Sequence, residues 1–269
     1  MKIVVDFPNP CGRTRVSLHA MTRIAIVNYL NTKPFLYGIR QHGLDHNSEF
    51  EFQYHFPAKC AQAIIQGDAE IGLIPVAVLP ELHSYEIIGT TCIGAEGKVD
   101  SVLIVCNQPL EEIHTVWLDY QSRTSVALCK ILLRDFWKKQ VVFREAGENY
   151  LNQIGKNEAA VVIGDRAFDA AIQFKFSYDL AEAWKLFTGL PFVFALWISR
   201  KRVSHVVSKT LNDAFLTGIL HREKAAEEIE MLYPQHYSIR KYLTQSISYT
   251  FDEPKKKGLE TFLSLLSKS

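Results

Sequence analysis

At positions 27–35 the chain carries the stretch Val27-Asn28-Tyr29-Leu30-Asn31-Thr32-Lys33-Pro34-Phe35, which joins a short apolar segment to an amphipathic one. This pattern predicts a β-strand, a polar turn and an α-helix with proline near its first position. The first N–H groups of such a helix have no partner within the helix, and the helix dipole favours a negative charge beside them. The stretch therefore predicts an anion-binding turn that the rest of the fold brings a second surface to face.

Composition indicates a globular protein with a sizeable core. The chain has 269 residues, of which 48% are hydrophobic and 22% charged, enough for one large or two medium domains. Its formal net charge is +1, so we expect neither nucleic acid nor a membrane surface as a partner. The run Lys255-Lys256-Lys257 is interpreted as a solvated helix face.

The cysteines and the first residues indicate a protein that is not exported. No C-x-x-C occurs among the five cysteines, which predicts neither a disulfide framework nor a zinc site and favours a reducing compartment. Residues 1–20 lack the order of a signal peptide. We expect them to form a flexible leader, with Met21 as a candidate start.

Strand-like and helix-like segments alternate along the chain, which predicts an α/β fold with mostly parallel strand pairing. A glycine-dotted stretch from Tyr85 to Gly97 is expected to be irregular, and a helical tail is expected from Val203 onward. Strands near Ser101 and Val193 are expected to cross between two lobes. The predicted lobes are residues 21–97 with 197–269, and residues 98–196 as an inserted unit, with the ligand cleft between them.

A second candidate anion site is the segment Ser122-Arg123-Thr124-Ser125, which follows a predicted strand. Ser122 is the expected N-cap of the next helix, and Thr124 would also serve. Hydroxyls, helix N–H groups and a guanidinium suit a carboxylate, but spacing alone favours a simple cap with the arginine in solvent. Asn28 and Asn31, by the same reasoning, could be turn formers only.

Two further strand ends are candidate walls of the cleft. Pro75 ends a buried-type strand and fixes the shape of the turn that follows. Gly164-Asp165 ends another strand and is either a third wall or a helix N-cap. Ser101 is too isolated for a role to be assigned from pattern alone.

Sequence signatures of several catalytic classes are absent. There is no G-x-S-x-G, G-x-x-x-x-G-K-[ST], H-E-x-x-H or G-x-G-x-x-G motif, and the nine histidines show no metal-ligand spacing. We therefore expect no metal and no nucleotide. The residues by themselves indicate a two-lobed α/β protein with a small-anion cleft and leave its being an enzyme open.

Taken together, several segments resemble the chorismate dehydratases of the futalosine route to menaquinone, the MqnA family, over about residues 22–200. No single motif is specific, but their order and spacing are. The segments are Asn28-Tyr29-Leu30-Asn31-Thr32-Lys33-Pro34, Gly72-Leu73-Ile74-Pro75-Val76, Val99-Asp100-Ser101-Val102, Leu118-Asp119-Tyr120-Gln121-Ser122-Arg123-Thr124-Ser125, Ile163-Gly164-Asp165 and Thr188-Gly189-Leu190-Pro191-Phe192-Val193-Phe194-Ala195.

The resemblance implies a two-lobed, periplasmic-binding-protein-like (type II) fold that stays in the cytoplasm. It implies a carbon–oxygen lyase that converts chorismate to 3-[(1-carboxyvinyl)oxy]benzoate with loss of water and without a cofactor. Asn31 and Ser101 are then the expected catalytic residues. The expected substrate-binding residues are Tyr29, Pro75, Ser122, Arg123, Thr124, Ser125, Gly164 and Asp165.

No strong protein base is visible, so we hypothesise that the enolpyruvyl carboxylate of the substrate takes the proton. Two alternatives stay open: a non-catalytic small-anion-binding protein of the same fold, and an enzyme similar to 1,4-dihydroxy-6-naphthoate synthase. The second should offer a histidine base in the cleft, and the predicted walls contain no histidine. Monomer and homodimer are equally compatible with the sequence, as is an Arg123 that points to solvent.

Overall fold

The computed structural model describes residues 21–232 and 237–268, so the predicted leader lies outside the described residues. The strands are β1 (Thr22–Val27), β2 (Phe50–His55), β3 (Ile71–Pro75), β4 (Glu86–Ala95), β5 (Val102–Cys106), β6 (Thr115–Leu118), β7 (Val142–Glu145), β8 (Glu158–Ile163), β9 (Phe176–Asp179), β10 (Phe192–Ser199) and β11 (Ser248–Thr250). The helices are α1 (Lys33–Gln41), α2 (Pro57–Gln66), α3 (Arg123–Ile131), α4 (Arg166–Gln173), α5 (Leu180–Thr188), α6 (His205–Leu220), α7 (Arg222–Glu230), α8 (Ile239–Lys241) and α9 (Glu253–Leu266).

Two sheets form the two lobes of the molecule. The first has the strand order β11-β4-β10-β3-β1-β2, and the second has the order β7-β6-β8-β5-β9. In the first sheet β1 lies parallel to both β2 and β3, whereas β10 runs antiparallel to β3 and β4. Each sheet therefore has a parallel part made of strand–helix–strand units and an antiparallel part made of long-range pairings.

The expectation of mostly parallel pairing was wrong. Antiparallel pairs outnumber parallel pairs among the described strands, because β10, β11 and β5 each pair antiparallel with their neighbours. The stretch expected to be irregular contains the ten-residue strand β4. Its glycines serve the pairing: a Cβ on Gly94 would lie 2.7 Å from the carbonyl oxygen of Phe192 on β10.

The boundary that we expected between residues 196 and 197 falls inside β10. This strand pairs with β3 and β4 from Phe192 to Ser199, so the whole of it lies in the first sheet. The chain leaves the first sheet at Ala95, enters the second at Val102 and returns after α5. Ser101 thus lies at the outgoing crossing.

The helical tail packs against α1 and the sheet of the first lobe. Helix α1 packs on α6 with almost no side chain between them, since a Cβ on Gly38 would lie 1.8 Å from the backbone oxygen of Ala214. Phe35 of α1 is fully buried against Trp197 and Phe215. This contact anchors the helix that follows the opening turn to the sheet and to the tail.

Helix α9 also departs from the expectation for its lysine run. Asp252 caps the helix by accepting a hydrogen bond from the N–H of Lys255, 3.1 Å away. The side chain of Lys255 is only 1% exposed and is paired with Glu96, so this residue is buried rather than solvated. Among the described helices, none is long and apolar enough to cross a bilayer.

Candidate active site

A cleft with an empty volume of about 530 Å³ lies between the two sheets. The carboxyl ends of β1, β3 and β8 meet there, since Val27, Pro75 and Ile163 all line it. Ligands of open α/β sheets bind at such strand ends, because the loops that follow the strands converge there.

Most of the site residues expected from the sequence share this cleft. Polar and glycine positions from four separate segments line it, together with the proline that ends β3: Tyr29, Asn31, Pro75, Ser101, Ser122, Thr124, Ser125 and Gly164. Arg123 and Asp165 do not line it. The remaining wall is apolar and includes Leu73, Val102 and Phe194.

The opening turn is built as expected, but its anion-binding donor is already used. The hydroxyl of Thr32 donates to the carbonyl oxygens of Val27 and Tyr29, which shapes the turn before α1. The N–H of Leu30 donates to Oδ1 of Asp165 at 3.0 Å. A carboxylate of the second lobe thus occupies the turn where we expected a ligand anion. Burial raises the pKa of Asp165, while this hydrogen bond and the charge of Lys33 oppose the rise.

The start of α3 supplies the other candidate anion site. Ser122 is the N-cap, as expected, because its Oγ accepts a hydrogen bond from the N–H of Ser125 at 3.1 Å. The hydroxyl of Thr124 accepts a hydrogen bond from the N–H of Ala77 in the first lobe, at 3.1 Å. The hydroxyls of this helix start therefore both stabilise the helix and join the lobes.

Arg123 points away from the cleft. Its guanidinium lies 3.0 Å from the carboxylate of Glu81 in the first lobe, and both side chains are nearly half exposed. An ion pair with this exposure contributes at most about 1 kcal/mol. Of the two arrangements that the sequence allowed, the structure therefore shows the one in which Arg123 faces solvent and not the ligand cleft.

Tyr29 connects the two lobes across the mouth of the cleft. Its hydroxyl donates to the side-chain oxygen of Gln121, and the backbone oxygen of Gln121 accepts from the N–H of Ala58 at 3.0 Å. The ring of Tyr29 lies directly over Gly164: a Cβ there would come within 2.9 Å of a ring carbon. Gly164 also has a φ of +66°, a conformation that glycine adopts without steric cost.

Ser101 is held by a strained turn. The preceding residue, Asp100, has a φ of +65°, which costs a residue with a side chain about 1 kcal/mol or more. Asp179 stabilises this turn, because its carboxylate accepts hydrogen bonds from the N–H groups of Val99 and Asp100 at 2.9 and 2.7 Å. The hydroxyl of Ser246 donates to Asp100 at 2.9 Å. The turn is therefore fixed from two sides.

A residue that we did not predict, Tyr242, is hydrogen-bonded to one of the two expected catalytic side chains. It lies just after α8, is 3% exposed, and its hydroxyl donates to Oγ of Ser101 at 2.8 Å. Burial raises the pKa of Tyr242. In the sequence its only signal is a hydroxyl at a core-like position of the helical tail.

Asn31 offers an unsatisfied acceptor at the cleft. Its Oδ1 is buried and has no hydrogen-bond partner among the described residues. Its backbone oxygen accepts from the hydroxyl of Tyr249 at 3.0 Å, which fixes the residue in place. A buried acceptor without a partner costs about 1–3 kcal/mol, and a ligand hydroxyl would relieve that cost.

The cleft has polar groups but no charged lining residue in the described part of the chain. The nearby cations have other partners: Arg166 lies 2.7 Å from the buried carboxylate of Asp119, and Lys33 donates to Asn28. No cluster of three histidine, cysteine, aspartate or glutamate side chains that could hold a metal occurs within residues 21–232 and 237–268. The site can therefore bind a ligand through neutral hydrogen-bond donors and enclose it between apolar walls.

The two lobes and the cleft between them define a fold of the periplasmic-binding-protein-like class. A crystal structure of an Archaeoglobus fulgidus protein superposes with a TM-score of 0.74 at 14% identity, covering 94% of this chain and 98% of that one. A Candida albicans protein described as having the generic periplasmic binding protein fold gives 0.62 at 12% identity, covering 93% and 90%. The aliphatic sulphonate binding protein SsuA of Escherichia coli gives 0.60 at 13% identity, covering 92% of each chain. The expected fold class is confirmed.

The sequence narrows the class to one family. A family profile described as menaquinone biosynthesis matches residues 22–268, and the chain belongs to this family. The chain is also 24% identical, over 263 residues, to a protein of Thermus thermophilus named chorismate dehydratase, covering 90% of this chain and 94% of the relative. The family resemblance drawn from the sequence motifs is thereby confirmed.

Proposed function

We propose that this protein is a chorismate dehydratase, a carbon–oxygen lyase that forms 3-[(1-carboxyvinyl)oxy]benzoate from chorismate. The observation that carries the proposal is the meeting of Asn31 and Ser101 in one closed cleft, in a chain of the menaquinone biosynthesis family. The name of the Thermus thermophilus relative supports the choice of substrate.

The reaction removes the proton at C3 of the ring and the hydroxyl group at C4. The C3–H bond breaks, its electrons form a ring double bond, and the C4–O bond breaks as the hydroxyl leaves. Aromatisation of the ring drives the step. The protein must therefore place a base at C3 and a hydrogen-bond donor at the departing oxygen.

The base in this proposal is the enolpyruvyl carboxylate of the substrate itself. The lining residues described include no Asp, Glu, His, Lys or Arg that could take the proton. A carboxylate held in an apolar wall without a cation has a raised pKa, because burial disfavours its charged form. The neutral cleft therefore makes this substrate group a stronger base than it is in water. The proton that it takes then leaves with the hydroxyl as water.

Ser101 and Asn31 act on the departing hydroxyl. Because Tyr242 donates to Oγ of Ser101, the hydrogen of Ser101 is left to donate towards the leaving oxygen. The unpaired Oδ1 of Asn31 accepts the hydrogen of the same C4 hydroxyl. A donor that strengthens as negative charge develops on the leaving oxygen lowers the barrier to its departure.

The ring carboxylate is placed at the start of α3 in this proposal. Free N–H groups of the first turn and the hydroxyl of Ser125 would hold it; Ser125 accepts a hydrogen bond from the hydroxyl of Ser122 at 2.9 Å and keeps its own hydrogen for the ligand. This contact also stabilises the charge that spreads from C3 through the diene. The two proposed lobes keep the division drawn from the sequence, except that β10 is assigned wholly to the first.

Turnover of chorismate tests the proposal directly. The purified chain is incubated with chorismate, and the aromatic product is followed by absorbance and by mass spectrometry. We expect product from the wild type and a loss of about 100-fold in kcat for Ser101→Ala, as for a lost transition-state donor. Asn31→Ala should also lower kcat, because it removes the acceptor that orients the C4 hydroxyl. Ser177→Ala, at an exposed serine of the second sheet outside this cleft, is the matched control and should keep wild-type kcat.

Each other outcome contradicts a definite part of the proposal. Saturable protection against heat by chorismate without product would favour a binding protein. Near wild-type rates for both variants with the fold intact would remove Asn31 and Ser101 from the mechanism. Turnover of a cyclised futalosine but not of chorismate would favour the naphthoate synthase activity.

A further inference from the structure

Tyr242 lies outside every segment that carried the family resemblance, yet its hydroxyl reaches the centre of the site. It belongs to a π-helical turn, Tyr242–Ser246, in the tail of the chain. Its ring is packed edge-on against Phe168, with 5.0 Å between the ring centres, so the side chain has little freedom. A tyrosine fixed in this way presents its hydroxyl at one position only.

The direction of the hydrogen bond gives Tyr242 a chemical effect. A serine hydroxyl has one hydrogen, which it can donate either to a protein acceptor or to the ligand. Since Tyr242 donates to Oγ of Ser101, that oxygen is satisfied as an acceptor and its hydrogen remains available. No other side-chain donor to Oγ of Ser101 is present in the described part of the chain.

The turn Tyr242–Ser246 also packs against the segment Leu30–Thr32, which carries Asn31. The same turn holds the backbone before Ser101, through the hydrogen bond from Ser246 to Asp100 at 2.9 Å. One short segment therefore sets the position of Ser101 by its side chain and by its backbone, 141 residues away in the sequence. Burial keeps Tyr242 protonated, so it stays a donor over the physiological pH range.

We propose that Tyr242 is a positioning residue that orients the hydroxyl of Ser101 as a donor to the departing hydroxyl of the substrate. This inference rests on the proposed dehydratase function and adds a residue to it. Tyr242 itself does not touch the substrate in this arrangement. Its contribution to rate passes through Ser101, so the two residues should act as one unit.

The test combines Tyr242→Phe with Ser101→Ala. Phenylalanine keeps the ring packing and removes only the hydroxyl, so we expect kcat to fall about tenfold, with KM changed less than about threefold, the size of one misdirected hydrogen bond. In the Ser101→Ala background the same change should alter kcat by less than twofold, because residues that act together are not additive. Tyr178→Phe is the control: its hydroxyl accepts from the N–H of Leu110, remote from the cleft, and its kcat should match the wild type.

The outcomes separate this inference from the proposed function. Wild-type protein without product would overturn the dehydratase proposal and the role of Tyr242 with it. Wild-type turnover with an unchanged kcat in Tyr242→Phe would overturn the role of Tyr242 alone. An equal loss in both backgrounds would also overturn it, because the hydroxyl would then act independently of Ser101. Thermal unfolding of all variants confirms that they are folded at the assay temperature.

Discussion

Replacing Gly164 with alanine tests how closely the two lobes must meet around the ligand. Gly164 lies under the ring of Tyr29, and an added Cβ would stand 2.9 to 3.0 Å from three of its ring carbons. Real carbon atoms do not approach so closely, so the ring must move. Its displacement breaks the hydrogen bond to Gln121 that joins the lobes.

Two separate costs follow from the geometry. The left-handed backbone at Gly164, with φ of +66°, costs alanine roughly 1–2 kcal/mol in any state of the cleft. Overpacking against Tyr29 adds about 1–3 kcal/mol, but only while the lobes are closed. This second cost acts on the catalytically competent state alone, so kcat/KM should fall by about 5- to 150-fold.

Gly43→Ala provides a matched control for the backbone cost. Gly43 has a φ of +64° and no atom within 4 Å of an added Cβ, so it shares the first cost and lacks the second. Both variants should lose stability, with a fall in Tm of roughly 2–4 °C per kcal/mol. Only Gly164→Ala should lose activity, measured as kcat/KM for chorismate by product formation.

Repeating the Gly164→Ala substitution in a protein without the Tyr29 ring tests whether the loss of activity depends on that ring. In a Tyr29→Ala protein the ring is gone, and adding Gly164→Ala should change kcat/KM by no more than about twofold. The reasoning is refuted if Gly164→Ala keeps wild-type kcat/KM, or if its loss is the same with and without Tyr29. Either result would mean that the contact between this pair does not govern closure.

Two further predictions follow from charged groups. Arg123→Gln should change kcat/KM by less than about twofold, because the guanidinium is paired with Glu81 near solvent; a tenfold rise in KM would instead place it on the ligand. Asp179 has its pKa raised from 3.8 to about 6, mainly by burial and against several N–H donors. Between about pH 4 and 6 only the unfolded chain releases this proton, so the stabilising effect of Asp179 should fall as pH rises, by about 3 kcal/mol in all. Urea unfolding of wild type and Asp179→Asn from pH 4 to 7 measures most of it: their difference in unfolding free energy should shrink by about 2 to 2.5 kcal/mol over this range, and a difference that stays flat or grows contradicts the shift.

Local features of the fold were predictable because their signals lie within a few residues. Pro57 begins α2 and Gly67 ends it in the left-handed conformation, and both residues favour those positions by their own backbone geometry. Ser122 caps α3, and Gly189 ends α5. Each of these depends on backbone geometry that one or two residues set by themselves.

Strand direction was not predictable in the same way. β4 pairs with β10 and β11, whose residues lie far along the chain, and nothing within β4 indicates either partner. Its glycines suggested a loop, although Gly94 is there to let another backbone approach. Lys255 likewise appeared solvated in a basic run, because its partner Glu96 belongs to the distant end of β4.

The candidate site shows the same division. Residues at strand ends and helix starts gathered in the cleft as expected, because the fold class itself brings those ends together. Asp165 and Arg123 do not line the cleft, because each has a partner in the other lobe. Arg123 is paired with the carboxylate of Glu81, and Asp165 accepts a hydrogen bond from the N–H of Leu30. Tyr242 had no local signal, because a buried aromatic residue in a helical tail is usually part of the core.

The position of Ser101 at the crossing between the sheets has a mechanical consequence. The chain leaves β4 at Ala95 and enters β5 at Val102, so any rotation of one sheet against the other must bend the segment that carries this serine. Asp179 and Ser246 hold that segment from opposite lobes. The hinge therefore contains the proposed catalytic donor, and we expect opening of the cleft to withdraw Ser101 from Tyr242 and to disable the site until the lobes meet again.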